Sequence, residues 1–419
     1  MSKKLVVEQS VLSGKVYLSG AKNSALKLQT ATLLCDEEIT LENFPNGLSD
    51  VKIQSEMLRE LGKSVKEIDN KLIVSGDISD NNLIWNDRSI RNSLLILGAL
   101  VAKTGYGKVP LPGGCKIGER KYDLHIMILE NMGAKVWEEE GYLIAEAENG
   151  LKSTELTLPF RSTGATENAI ILGCLTNGVT RLWNPHVRPE VLELITFLNQ
   201  QGTDIIVNGN ESITINGVQK LKGINFSVMP DNMEALTYLI AGAVTGGEIE
   251  IVNFPFKDLE VPMIFLQEAG INVYKSNTGL ISKNNRFFPL EISTGSYPGI
   301  NSDMQPLMAL VAAHSQGISK IVDLRFPNRY SYAQQLNKMG LESEVSENQL
   351  VIYGGNELNG AEVYADDLRA GAALLIAGLS AKGKTVIENA SQIERGYENF
   401  LEKFQSLGAK VYWSNKDVE

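Results

Sequence analysis

The chain has 419 residues, too many for one ordinary hydrophobic core, so two or more domains are expected. A formal charge of −11, with 43% apolar and 21% charged residues, suits a soluble globular protein and argues against nucleic acid or an anionic membrane as a main partner. The start, MSKKLVVEQS, lacks the apolar region of a secretion signal, and the longest apolar run, 94–102, is too short to span a bilayer. Cys35, Cys115 and Cys174 include no CxxC pair, which fits a reduced cytosol with neither disulfide nor zinc site.

From the N-terminus, GAKNS (20–24) leads into an apolar helix, ALKLQTATLL (25–34). A β-rich stretch, EITLENF (38–44), and an amphipathic helix ending in LRELGKSV (58–65) follow. The pattern returns with SIRNS (89–93), SLLILGALVA (93–102), the glycine-rich LPGGCKIGER (111–120) and LENMGAKV (129–136). FRSTGAT (160–166), ENAIILGCL (167–175) and LNQQGTDI (198–205) make a third copy. MPDN (229–232), ALTYLIAGAV (235–244), GEIEIVNF (247–254) and LQEAGINV (266–273) make a fourth. NSDM (301–304) with QPLMALVAA (305–313) and LNKMGLES (336–343) is the fifth, and YADDLR (364–369) with GAALLIAGL (371–379) and FQSLGAKV (404–411) the sixth.

In every copy the amphipathic helix ends on a glycine suited to the C′ position: Gly62, Gly133, Gly202, Gly270, Gly340 and Gly408. Their spacings are 71, 69, 68, 70 and 68 residues. Solenoid repeats are mostly shorter than this, so the period points to two globular domains of three α/β units each. The second helix of each unit is apolar all round and belongs inside, with the strands around it.

The segments that open these inner helices differ between the halves. The first three carry Lys22, Arg91 and Arg161; the last three carry Asp231, Asp303, Asp366 and Asp367. Carboxylates suit a helix N-terminus, and Asp231 and Asp366 are read first as caps. Cations oppose the helix dipole and need another reason. Free N–H groups, a hydroxyl or glycine (as in Ser162-Thr163-Gly164) and a cation together make an anion site. The expectation is a cleft that binds phosphate on the basic half and faces a base on the acidic half.

SGAKNSALKLQTATLL (19–34), LPGGCKIGERKYDLHI (111–126), STGATENAI (162–170), YPGINSDMQ (297–305), FPNRY (326–330), DDLRAGAALLIAG (366–378) and ERGYENFLEKFQSLGAKV (394–411) together resemble the enolpyruvyl transferases, over essentially the whole chain. The resemblance implies two inside-out α/β barrels, one over 22–229 and the other over 1–21 plus 230–419. It also implies transfer of the enolpyruvyl group of phosphoenolpyruvate to a hydroxyl by addition and elimination, with release of phosphate and no cofactor.

By the same resemblance Cys115 protonates the methylene carbon, and its loop closes over the substrate. Lys22, Arg120 and Arg395 hold phosphate and carboxylate, joined by Arg369 of the DLR motif, and Asp303 takes the hydroxyl proton. Asn23 bonds the substrate, and Asp123 with Leu124 meets a uracil. Arg91, Ser162, Thr163, Gly164, Arg325, Arg329 and Asp367 complete the implied substrate contacts. Cys35 and Cys174 read as core residues on apolar helices, and His125, His186 and His314 have no metal-ligand spacing.

The sequence departs from the family around the acceptor. Lys121 and Tyr122 follow Arg120 in place of Pro-Val, and Phe160 and Arg161 stand where a lysine-containing pair is common. Val187 and Arg188 replace an Arg-Glu pair, Asn232 stands in for an arginine, and Arg325 for a small aliphatic residue. Three readings result: transfer to the 3-hydroxyl of UDP-N-acetylglucosamine, transfer to another uridine nucleotide such as uridine monophosphate, and a catalytically silent nucleotide binder. The intact Lys22, Cys115, Arg120, Asp303 and Arg395 speak against the last. No GxGxxG or GxxxxGK[ST] motif supports a dehydrogenase or NTPase.

Overall fold

The computed structural model describes residues 4–87, 90–113, 122–283, 286–326 and 329–414. Cys115, Arg120 and Lys121 lie outside these residues. The chain divides into two compact units, 20–229 and 1–19 plus 230–419.

Unit 20–229 contains α1 (Lys22–Ala31), α2 (Ser49–Glu60), α3 (Ser93–Thr104), α4 (Asp123–Asn131), α5 (Thr163–Cys174) and α6 (Pro189–Gln200). The other unit contains α7 (Asn232–Val244), α8 (Glu260–Glu268), α9 (Gln305–His314), α10 (Ser331–Lys338), α11 (Leu368–Ser380) and α12 (Phe400–Ser406). The odd-numbered helices are the inner, largely buried ones, and all but α1 are predominantly apolar. Every residue of α7, and all of α11 except its last, is buried. α7, α9 and α11 pack on one another, and α3 packs on α1 and α5. The α3–α5 approach depends on Gly98, where an added Cβ would stand 2.0 Å from Asn168 Oδ1.

The strands form three sheets per unit around these helices. The third copy shows the plan: Glu155–Thr157, α5, Val179–Trp183, α6, Asp204–Asn208, Ser212–Asn216. The inner helix is the crossover between two parallel strands, registered Leu182 to Leu156, and the remaining pairs are antiparallel. One strand face packs on the helices and the other meets solvent, leaving Val179, Trp183 and Ile206 exposed. The second copy is reduced to three strands, with a single parallel bridge between Asn82 and Lys108 in the fourth position. Six sheets outside and apolar helices inside make two inside-out α/β barrels.

Three strands leave the sequential plan. Leu5–Glu8 opens the chain, yet it pairs antiparallel with both Lys384–Glu388 and Lys410–Trp413 of the sixth copy. Ser13–Tyr17 precedes α1, yet it pairs in parallel with Glu248–Val252, which follows α7. Asn225–Ser227 precedes α7, yet it pairs in parallel with Ile39–Glu42, which follows α1. Each unit is therefore completed by a strand lying next to the other unit's first helix in sequence, which requires the two crossings at 19–20 and 229–230. Before the first crossing, Ser19 N–H donates to the buried Glu234 Oε2 at 2.7 Å, while Lys403 Nζ lies 2.6 Å from Glu234 Oε1. Before the second, Met229 N–H donates to Glu193 Oε1 at 2.6 Å.

The six repeat glycines all have positive φ, from +89° to +111°. Each closes a Schellman motif; at Gly62 its own N–H reaches Arg59 O at 2.9 Å and Lys63 N–H reaches Leu58 O at 3.0 Å. The same pair of bonds recurs at Gly133, Gly202, Gly270, Gly340 and Gly408.

A Cβ at Gly202 meets nothing within 4 Å, so the cost of Gly202→Ala is purely that of left-handed backbone, about 1–2 kcal/mol. Urea unfolding should show that loss, with Gly202→Asn losing less because asparagine tolerates the conformation. Burial pushes the Glu234 carboxyl up to about 7 against Lys403 and the Ser19 N–H. Between about 4.5 and 7 the native state holds a proton that the unfolded chain has released. Stability should thus fall as pH rises through that window and level off above it, a trend that Glu234→Gln should remove.

Candidate active site

In the unit containing α7, α9 and α11, the N-termini of these three helices carry the acidic residues. Asp231 caps α7, accepting the N–H groups of Met233 and Glu234 at 2.8 and 2.9 Å. On α11 the cap is Asp367 rather than Asp366, accepting from Arg369 and Ala370 at 2.7 and 2.8 Å. Asp303 lies just before α9. Arg329, with its side chain largely covered, donates through Nη1 to Asp303 Oδ1 at 2.7 Å and through Nη2 to Asp367 Oδ2 at 3.3 Å. Arg369 sits in the first turn of α11 with Nε 3.7 Å from Asp303 Oδ2 and its guanidinium 5.2 Å from the Tyr397 ring. Burial opposes both guanidinium charges, but Tyr397, Asp303 and Asp231 raise Arg369, and Asp303 and Asp367 raise Arg329. Arg369 Nε and Nη1 are buried without a hydrogen-bond partner among the described residues, so the site retains donors for an anion.

The sequence reading overlooked Asp323, the buried hub behind this group. It accepts from Thr294, Ser302 and Gln305 side chains and from the N–H groups of Arg325 and Phe326. Asp323 thereby fixes the residue before Asp303 together with the loop bearing Arg325. Arg325 itself lies 5.7 Å from the Phe326 ring. Arg395 ends the short 3₁₀ segment Ala390–Arg395 and donates to Gln392 Oε1 at 2.9 Å.

In unit 20–229 the helix N-termini carry the basic residues. Lys22 is the first residue of α1 and is buried, with Nζ 2.7 Å from Asp50 Oδ2 of α2. Extension into solvent is thereby ruled out, and Asp50 joins the residues that the motifs did not reveal. Asn23 is half-buried beside Lys22. Ser162 caps α5, Thr163 Oγ1 bonds His186 Nδ1 at 2.8 Å, and a Cβ on Gly164 would lie 3.2 Å from His125 Nε2. Burial, and then Arg91 and Lys27, hold the His125 imidazole down at about 3, so it is neutral at physiological pH. Asp123 and Leu124 open α4; Asp123 is exposed, whereas the Leu124 side chain is in the core and only its backbone can meet a ligand.

Several of the unusual residues are already engaged. Arg188 forks onto the buried Glu190 at 2.7 and 2.8 Å, and Arg161 Nε donates to Asn184 Oδ1 at 3.4 Å. Tyr122 donates to Glu138, Phe160 is exposed, and Asn232 is buried at the start of α7. Cys174 ends α5, but Cys35 follows a 3₁₀ turn rather than sitting on a helix; burial raises both thiols. Among the described residues no cluster of His, Cys, Asp and Glu could hold a metal ion, and no helix is long and apolar enough to cross a membrane.

Two solved structures share the fold. The enolpyruvyl transferase NikO from Streptomyces tendae matches with a TM-score of 0.87 at 23% identity, covering 99% of each chain. EPSP synthase from Acinetobacter baumannii matches with a TM-score of 0.75 at 17% identity, covering 99% of this chain and 100% of that one. The architecture is thus that of the two-domain enolpyruvyl transferases. The family model of EPSP synthase (3-phosphoshikimate 1-carboxyvinyltransferase) matches residues 6–404. The UDP-N-acetylglucosamine 1-carboxyvinyltransferase of Caulobacter sp. (strain K31) is 38% identical over 416 residues, 97% of this chain and 96% of the relative. UDP-N-acetylglucosamine 1-carboxyvinyltransferase 1 of Carboxydothermus hydrogenoformans is 40% identical over 414 residues, 98% of each. The chain belongs to the EPSP synthase family and is an enolpyruvyl transferase.

Asp367 has two separable duties. Asp367→Asn keeps an oxygen for the N–H groups of α11 but loses the charge facing Arg329, so turnover should fall roughly ten- to hundred-fold with little change in melting temperature. Asp367→Ala should lose the same activity and about 1 kcal/mol of stability as well.

Proposed function

We propose that the protein transfers the enolpyruvyl group of phosphoenolpyruvate to a uridine nucleotide, with the 3-hydroxyl of UDP-N-acetylglucosamine as its acceptor and the cytoplasm as its place of work. The observation that carries this reading is the 38–40% identity, over nearly the full length, to relatives named for that acceptor. Geometry supports it. The basic N-termini of α1 and α5 suit phosphate groups, and Asp303 is held in place by Arg329 as a general base must be.

In the proposed reaction Asp303 accepts the proton of the acceptor hydroxyl as its oxygen bonds C2 of phosphoenolpyruvate, and Cys115 delivers a proton to C3. The resulting tetrahedral adduct then loses a proton from C3 while the C2–O bond to phosphate breaks. The products are the enolpyruvyl ether and inorganic phosphate. Lys22, Arg120 and Arg395 are assigned to phosphate and carboxylate, and Arg369 to substrate binding. Asn23, Asp123 and the Leu124 backbone are assigned to the acceptor.

The second reading takes uridine monophosphate as acceptor, and its motive is the set of changed acceptor-side residues, Lys121, Tyr122, Arg161, Arg188, Asn232 and Arg325.

Phosphate release from phosphoenolpyruvate, measured with each acceptor separately, decides between them. Turnover with UDP-N-acetylglucosamine alone supports the main reading, turnover with the monophosphate alone supports the second, and silence with both overturns the assignment to uridine nucleotides. With the active acceptor, Cys115→Ser should abolish turnover, because an alcohol is a far weaker acid. Cys115→Asp should keep turnover and lose sensitivity to the epoxide fosfomycin.

A further inference from the structure

Lys27, Asn92 and Glu167 form a largely buried polar group among α1, α3 and α5 to which the proposed chemistry gives no role. Glu167 is 1% exposed, and neither of its carboxylate oxygens has a hydrogen-bond partner among the described residues. Lys27 Nζ lies 3.7 Å from Glu167 Oε2, beyond hydrogen-bond range, and 3.0 Å from Asn92 Oδ1. Asn92 is itself committed to the fold, binding Leu26 O, Thr30 Oγ1 and Gln54 Oε1. Burying an ion pair is poor value for stability alone, since apolar side chains of similar size do as well or better.

The position of the ammonium suggests what it serves. Lys27 and Asn23 are one turn apart on the same face of α1, and long helical side chains lean toward the N-terminus. Contact with Asn92, the N-cap of α3, puts the ammonium beside the start of α3 and within a turn or so of the start of α5. Its field, with that of Arg91, reaches His125, which is buried, lacks a partner for Nδ1 and lies against Gly164 at the start of α5. A helix N-terminus, two cations and a neutral imidazole with an unused nitrogen suit an anionic oxygen ligand.

We infer that Lys27 is a specificity-determining residue that binds a phosphate group of the nucleotide acceptor, with Glu167 setting how much of its charge that phosphate meets. The inference rests on the uridine-nucleotide reading and adds which group of the acceptor is read and by what. Burial pushes the Glu167 carboxyl up to about 7, against Lys27 and Arg188 and helped by Glu190, so it does not fully cancel the ammonium near neutral pH.

The test is calorimetric titration of the full chain and its variants with uridine diphosphate and with uridine. The wild type should prefer the diphosphate. Lys27→Met should lose roughly ten- to hundred-fold of that preference while leaving uridine binding unchanged, and Lys27→Arg should restore most of it. Glu167→Gln should keep or strengthen the preference. If Lys27→Met and Glu167→Gln weaken both ligands alike, the pair is structural and the inference falls. If the wild type prefers the diphosphate and Lys27→Met retains the preference, the inference falls alone. If the wild type does not distinguish the two ligands, the uridine-nucleotide reading falls with it.

Discussion

A helix that is apolar on every side can rest only where every side is covered. Three inner helices in each unit, all but α1 predominantly apolar, force the strands outward into a ring of sheets, and most other features of the fold follow from that constraint. Each sheet needs one face toward the helices, so its strands alternate buried and exposed residues. Each return helix must stop sharply to feed an outer strand, and a left-handed glycine provides the stop at the same place in all six copies. Glycines inside the inner helices serve the same packing, because Gly98 lets α3 approach Asn168 where any side chain would collide.

The same constraint restricts where chemistry can occur. The flanks of the inner helices are occupied by packing, so their free ends are what they can offer a ligand. In one unit these ends carry Asp231, Asp303 and Asp367, with Arg329 and Arg369 packed among them. In the other they carry Lys22 and the Ser162–Gly164 turn, with the neutral His125 of α4 against that turn, suited to anions. Both sets are held from outside the helix ends: Asp50 from α2 pairs with Lys22, and Asp323 from a strand end fixes Ser302, the residue before Asp303. Such supporting carboxylates keep the functional side chains oriented, which general acid–base and electrostatic catalysis both require.

Much of this was legible in the chain itself. Glycine spacing and apolar runs are local properties, and they are enough to give six copies, inner and outer helices, and an acidic and a basic set of helix starts. The motifs carry the family resemblance and with it the enzyme class. Asp50 and Asp323 were not legible, because nothing in their immediate sequence distinguishes them from surface acids or helix caps. Asp50 stands in the first turn of α2, where an acid is unremarkable, and only the fold brings it 2.7 Å from Lys22. The cap of α11 was misread by one residue for a related reason: in Asp366-Asp367 either could cap, and backbone geometry alone selects Asp367.

The sequence by itself determined the repeat, the class of fold and the family, since each depends on patterns that persist along the chain. Tertiary structure alone decided which charges are partners and which strands complete each unit. Ion pairs such as Arg329 with Asp303 and Asp367, or Lys27 with Glu167, join residues far apart in sequence, whose distances exist only after folding. The exchange of Ser13–Tyr17 and Asn225–Ser227 was hidden for the same reason. Strand propensity marks a segment as a strand, but its partner is set by which sheet edge is left open once the inner helices are packed.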